Sequence, residues 1–269
     1  MKREIEIEIL TAKEAIDFVK RRPSAIKMVA GQYLLSIFGF ERSRVLRTAY
    51  NPVRFVDDLL DGDAQGIVDP LAYARDLNHR ITTNLLTNSR IDRQLCYSLD
   101  VLESKAKPND NPRGDFVRAI EAIIFDRERA SQRRALSAEE IEQYYHNAFD
   151  PVMNITLLAI DSNLRSGDIP VLSYGQGRVY SARDFEVDWR RGIINVPKQV
   201  ISSVGLSSHS SLEDVRENTG IADWFHQSLA STKPDLLTGQ LLLRQSGEKQ
   251  TQVVCNSLIS PMLKYIEAH

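Results

Sequence analysis

The sequence predicts an all-α protein, a large helical bundle forming one domain, and three observations carry that expectation. Apolar residues recur at three- and four-residue intervals over most of the 269 positions. The gaps between these periodic runs fall on turn chemistry at Gly62-Asp63, Lys107–Pro112, Arg165–Asp168 and Gly205–Ser211. Only residues 4–10 alternate Ile with Glu like a strand, and a single short strand founds no sheet. With 42% hydrophobic and 26% charged residues, the chain is too apolar to remain disordered.

The elements follow in order. The first helix is expected over 11–22, where Ala12, Ala15, Ile16 and Val19 share a face and Thr11 with Glu14 forms a capping box. Periodic runs then predict helices over 24–38, 43–60, 70–86, 91–104, 114–129, 137–163, 173–190 and 212–231, and an interrupted one over 233–267. Ser137-Ala138-Glu139-Glu140 is a second capping box. Within 43–60, Asn51 and Pro52 suit an N-cap and first helical residue, so a kink or break is expected there. Gly192 and then Pro197 are expected to stop the helix before them. Residues 107–112 read as a turn between helices rather than a linker, so residues 1–269 read as a single domain.

Charge and cysteine usage exclude several functions. Thirty-four basic against 36 acidic residues give −2, so nothing in the overall balance draws the chain to nucleic acid. Cys96 and Cys255 make neither a disulfide framework nor a zinc motif. The N-terminus has no apolar signal region, and Ala25–Phe40, interrupted by Lys27 and Gln32, is too short to span a bilayer. A soluble, cytoplasmic protein is expected. Leu34–Phe38 reads as core, with peripheral contact at a membrane left open.

The chemistry lies in two acidic segments. In Arg54-Phe55-Val56-Asp57-Asp58-Leu59-Leu60-Asp61, helical spacing puts Asp57, Asp58 and Asp61 on one flank. Like charges so placed repel, and more so beside Phe55, Val56, Leu59 and Leu60; a divalent cation removes that cost. Oxygen-only ligands favour Mg²⁺ over zinc. Taken alone, the segment fits an acidic, solvated helix end equally well. The second segment, Tyr180 to Gly192, spaces Tyr180, Asp184 and Asp188 one turn apart. Two such aspartate turns on facing helices of a bundle could build a carboxylate site in its core, around a central cavity.

In this order and separation, the segments resemble those of the squalene/phytoene synthase family, a branch of the class I isoprenoid synthases. Arg54 with Asp57-Asp58-Leu59-Leu60-Asp61 is similar to the family's arginine and DDxxD. Arg183, Asp184 and Asp188 are similar to its second motif, and Asp126 with the Glu139–Tyr144 stretch resembles the region between. The resemblance covers roughly residues 24–206. Departures are Tyr180 for a usual asparagine, Val187 for glutamate, Gly177 for glutamine, Ala135 for tyrosine, and Phe149-Asp150 for a small Ala-Gly pair.

The resemblance implies a Mg²⁺-dependent enzyme that ionises farnesyl or geranylgeranyl diphosphate and couples it to a second molecule, releasing diphosphate. Asp57, Asp58, Asp61, Asp184 and Asp188 would hold Mg²⁺, and Arg54, Arg183 and Arg47 would meet the diphosphate through their planar forks. Phe55, Phe125, Tyr144, Phe149 and Tyr180 are candidates to line an apolar pocket, Tyr180 foremost because it shares the face of Asp184. The departures favour a second reading, a terpene synthase acting on one prenyl diphosphate by elimination or cyclisation. A third, a silent family member serving in assembly, fits less well with five retained aspartates.

Overall fold

In the computed structural model, residues 2–269 are described, and they hold helices with no strand among them. The helices are α1 (Lys2–Arg21), α2 (Ile26–Leu34), α3 (Phe40–Leu60), α4 (Pro70–Thr83), α5 (Arg90–Lys105), α6 (Pro112–Ser131) and α7 (Ala138–Ala159). They continue as α8 (Pro170–Arg183), α9 (Phe185–Arg191), α10 (Lys198–Ser203), α11 (Leu212–Glu217), α12 (Thr219–Gln245) and α13 (Lys249–Ala268). Short 3-10 turns cover Pro23–Ala25, Leu35–Phe38 and Ser166–Asp168. The chain divides into two compact units, one running up to Ile124 with Pro151–Arg165 and the other Phe125–Asp150 with Ser166–His269.

The first unit is built on α3 against α5. Val45, Ala49, Pro52, Val56 and Leu60 repeat at three- and four-residue steps on α3 and are all buried. Ile91, Leu95, Leu99 and Leu102 do the same on α5, and Leu77, Ile81, Phe116 and Ile120 from α4 and α6 complete the core. Several expectations fail here. Residues 4–10 are helical, not strand-like, because α1 turns Ile7, Thr11, Glu14 and Phe18 inward while Glu8 reaches Arg44 and Arg47 of α3. Ile16, expected on the buried face, is exposed, and Thr11 lies mid-helix, its hydroxyl donating to the Ile7 carbonyl at 2.7 Å instead of capping.

Pro52 departs from expectation too. Helix α3 runs unbroken through it. A proline here forfeits a backbone hydrogen bond and costs about 3 kcal/mol in isolation. The ring is buried against neighbouring helices, and the Asn51 side chain donates to Gln94 of α5 at 2.9 Å instead of capping a new helix. Tertiary burial outweighs local preference.

In the second unit α8 packs on α12 and α13. A β-carbon on Gly175 would meet the Leu236 side chain at 2.6 Å, so the small residue sets how closely these helices approach. Trp189, Ile194, Val196, Ile201, Val215 and Ile221 form one apolar cluster, and Leu136, Ile141 and Tyr145 form another beneath a layer of aromatic rings. The capping box at α7 is formed as expected: Ser137 N–H donates to Glu140 at 2.7 Å, and Glu140 N–H donates to Ser137 Oγ at 3.1 Å. The helix expected over 173–190 is two, α8 and α9, meeting at Asp184. Helix α12 passes through Ser231 and Pro234, where two helices were expected.

Candidate functional site

Each acidic segment lies in its own compact unit. The first lies in the last turns of α3, so that Asp57 and Asp58 project from adjacent positions and Asp61 closes the helix before Gly62 turns left-handed at φ +80°. The Asp58 carboxylate is buried and held on both sides: Arg54 bonds one oxygen, and Arg21 of α1 bonds the other at 3.0 Å. Arg54 also bonds Asp57, three residues on. Burial works against the charge of Arg54, but Asp57 and Asp58 hold its guanidinium above the ordinary value. Its Nε is buried with no hydrogen-bond partner, and the guanidinium lies 5.1 Å over the Phe18 ring. Arg22 adds a pair with Asp63 at 2.8 Å.

Arg47 sits elsewhere. It is seven residues, about 10 Å, back along α3 from Arg54. There it bonds both Glu8 oxygens at 2.8 and 2.7 Å, bonds Ser43, and stacks 4.0 Å over Tyr33. The first segment therefore gathers Arg54, Asp57 and Asp58, adds Arg21, and leaves Arg47 tied to α1. Arg21 was missed because nothing in a periodic helix end distinguishes an arginine aimed at a carboxylate from one in water.

The second segment begins where α8 ends. Asp184 takes φ −98° and ψ 6°, breaking α8 and starting α9, yet Asp188 N–H still donates to its carbonyl at 2.9 Å. Arg183 bonds both Asp184 oxygens, at 2.8 and 2.6 Å, and lies 4.4 Å over the Tyr180 ring. Tyr180 meets Phe149 edge-on at 6.0 Å, and burial raises its phenol above the ordinary value despite Arg183. Arg183, Asp184 and Tyr180 are thus neighbours.

Asp188 faces a different set. Gly192 ends α9 at φ +87°, where a β-carbon would strike the Ala130 carbonyl at 2.5 Å. That close approach lays Ile194 and Asn195 against α6. Arg129, itself buried, donates to Ile194 O at 2.9 Å, to Asn195 Oδ1 at 2.6 Å and to Asp126 Oδ1 at 2.7 Å. Asn195 Nδ2 in turn donates to Asp188 Oδ2 at 3.0 Å, and Tyr144 donates its hydroxyl to Asp126. The Asp188 carboxyl is pushed up from 3.8 to about 7, first by burial and then by the charges of Asp184 and Asp126, while Arg129 and Asn195 pull it down. Burial and the two neighbouring carboxylates together outweigh Arg129 and Asn195. Asn195 and Arg129 carried no sequence signal beyond the position of Arg129 one turn after Asp126.

Among the described residues no group of three or more carboxylate, imidazole or thiol side chains is drawn together tightly enough to hold a metal ion. Phe125 and Tyr144 lie in the aromatic layer, 5.9 Å apart, and Phe55 pairs with Tyr73 at 5.9 Å in the first unit. A pocket of about 350 Å³ in the second unit is lined by Ile141, Glu142, Tyr145, Arg178 and Trp224 and includes none of the aspartates above.

Comparison with solved structures decides the architecture. The chain matches the crystal structure of squalene synthase HpnC from Alicyclobacillus acidocaldarius with TM-score 0.68, over 99% of this chain and 92% of that one. The fold is of the squalene synthase type. Sequence identity is 16%, so the likeness speaks to fold. No protein-family model matches the sequence, and no curated protein does either. The all-α isoprenoid-synthase-type fold expected from the two motifs is the fold observed. On that fold Gly177 acquires a reason: a β-carbon there would lie 2.1 Å from the Tyr145 ring, whose hydroxyl bonds Ser181 at 2.9 Å. The ring fills the space that a side chain at 177 would need.

Proposed function

We propose that this protein ionises an allylic prenyl diphosphate, farnesyl or geranylgeranyl, and couples the resulting cation to a second prenyl diphosphate. The observation that supports this reading best is the placing of Asp188, half-buried and held by Asn195, near Asp184 and Asp126 on a squalene synthase-type fold. A carboxyl whose pKa is raised first by burial and then by like-charged neighbours is a locus that a hard cation relieves.

The donor chemistry fits Mg²⁺, which takes one or two carboxylates and keeps waters and phosphate oxygens for the rest of its shell. Asp184 and Asp188 would hold it in the second segment, and Asp57, Asp58 and Asp61 in the first. Bound there, the ion supplies Lewis-acid neutralisation of the leaving diphosphate. The protein's own groups do the remaining work. Arg183 and Arg54 present guanidinium forks suited to phosphate oxygens, each now spent on aspartates that a cation would relieve. Asn195, anchored by Arg129, fixes the orientation of Asp188. Tyr180 and Phe149 offer apolar ring faces that exclude water and favour positive charge.

A second reading, a terpene synthase using one prenyl diphosphate, is favoured by one feature: the Phe149–Tyr180 ring pair stands where the resemblance implies a small residue and an asparagine. Incubation with each diphosphate and Mg²⁺, with assay of diphosphate release and product mass, tests both. Release is expected, and Asp57→Asn and Asp184→Asn should each abolish it while the circular dichroism stays helical. Coupling doubles the carbon skeleton; elimination or cyclisation conserves it. No release with either chain length refutes the proposal.

A further inference from the structure

The segment from Lys20 to Phe40 is built inside out. None of the residues in α2 or in the following turn Leu35–Phe38 is buried. Ile26, Met28, Leu34, Ile37 and Phe40 are 58, 39, 67, 78 and 76% exposed. What the segment presents to α3 is polar or polarisable: Ser43 donates to the Gln32 carbonyl at 2.7 Å, Tyr33 stacks under Arg47, and Tyr50 donates to Met28 sulfur at 3.4 Å. Contacts of this kind hold the segment from behind while its large aliphatic groups face away. The expectation that Leu34–Phe38 is core is wrong for Leu34 and Ile37.

Charge identifies what covers such a face. From Phe18 to Phe40 the chain carries Lys20, Arg21, Arg22 and Lys27 and no acidic residue. We propose that this segment docks the protein on an anionic lipid bilayer, with the exposed apolar residues entering the headgroup boundary and Lys20 and Lys27 meeting lipid phosphates. A second copy of the chain fits less well, since a two-fold contact would set this cationic surface against itself. The outer stripe of α1, with Ile5, Ile9 and Ile16 exposed, is not part of the surface because Glu4, Glu6 and Glu8 lie along it. Docking goes beyond the proposed reaction, and it would set an enzyme of amphiphilic prenyl substrates beside the phase that holds them.

Co-sedimentation of the full chain with phosphatidylcholine vesicles, with and without phosphatidylglycerol, tests the proposal. Binding is expected only with phosphatidylglycerol. It should weaken by roughly tenfold or more in Ile37→Asp with Phe40→Asp, and likewise in Lys20→Glu with Lys27→Glu or at high salt. No binding to anionic vesicles, or binding unmoved by these variants, overturns it. Concentration-dependent dimerisation abolished by Ile37→Asp, without vesicle binding, assigns the face to a second copy and also overturns it. All of these residues are exposed, so thermal unfolding of each variant should match the parent. Diphosphate release from a short, water-soluble prenyl diphosphate should be unchanged in them, so that failure to dock and failure of the proposed reaction are read separately.

Discussion

Asp188 gives the sharpest physical test of the second acidic segment. Its carboxyl titrates near 7 in the folded protein against 3.8 when free, chiefly through burial and then through Asp184 and Asp126. Between about pH 4 and pH 7 the folded chain therefore keeps a proton that the unfolded chain has lost. Folded protein binding more protons means that stability falls as pH rises through this window and levels off above it. Each pKa unit corresponds to about 1.4 kcal/mol, which caps the penalty at about 4 kcal/mol. Asp188 is only half-buried, and solvent screening reduces the expected effect to ~1–3 kcal/mol. Asp188→Asn removes the titration while keeping an oxygen to accept from Asn195. Urea denaturation at pH 4.5, 6, 7 and 8 should show the variant gaining on the parent as pH rises, with little difference at the acid end. Mg²⁺ should narrow the gap by stabilising the parent alone. A variant that is less stable at pH 8, or a difference independent of pH, refutes the reasoning.

Two further outcomes follow from local geometry. Gly177→Ala should cost ~1–2 kcal/mol in chemical denaturation, because overpacking against the Tyr145 ring outweighs the better helix propensity of alanine; in a Tyr145→Ala background the same change should become neutral or stabilising. Ser137→Ala removes half of a reciprocal capping box and should lower stability by about 1 kcal/mol, read as a reduced denaturation midpoint with unchanged slope.

The amino-acid sequence by itself determined the helical class, most element positions, the capping box at Ser137, the Gly192 stop and the two acidic segments with their arginines. These are local matters: a 3.6-residue period, a cap or a left-handed glycine is decided by residues a few positions apart. Tertiary structure decided the rest. Residues 4–10 became helical because Arg44 and Arg47 of another helix take up Glu8, and Pro52 stayed in a continuous helix because its burial, with Asn51 tied to Gln94 of α5, offsets a lost hydrogen bond. Arg21 reached Asp58 from 37 positions away and Arg129 met Asn195 across 66, separations over which no periodicity carries information. The outward turn of Leu34 and Ile37 was likewise invisible in an apolar run, since hydropathy states what a side chain prefers and only packing states what is there to receive it.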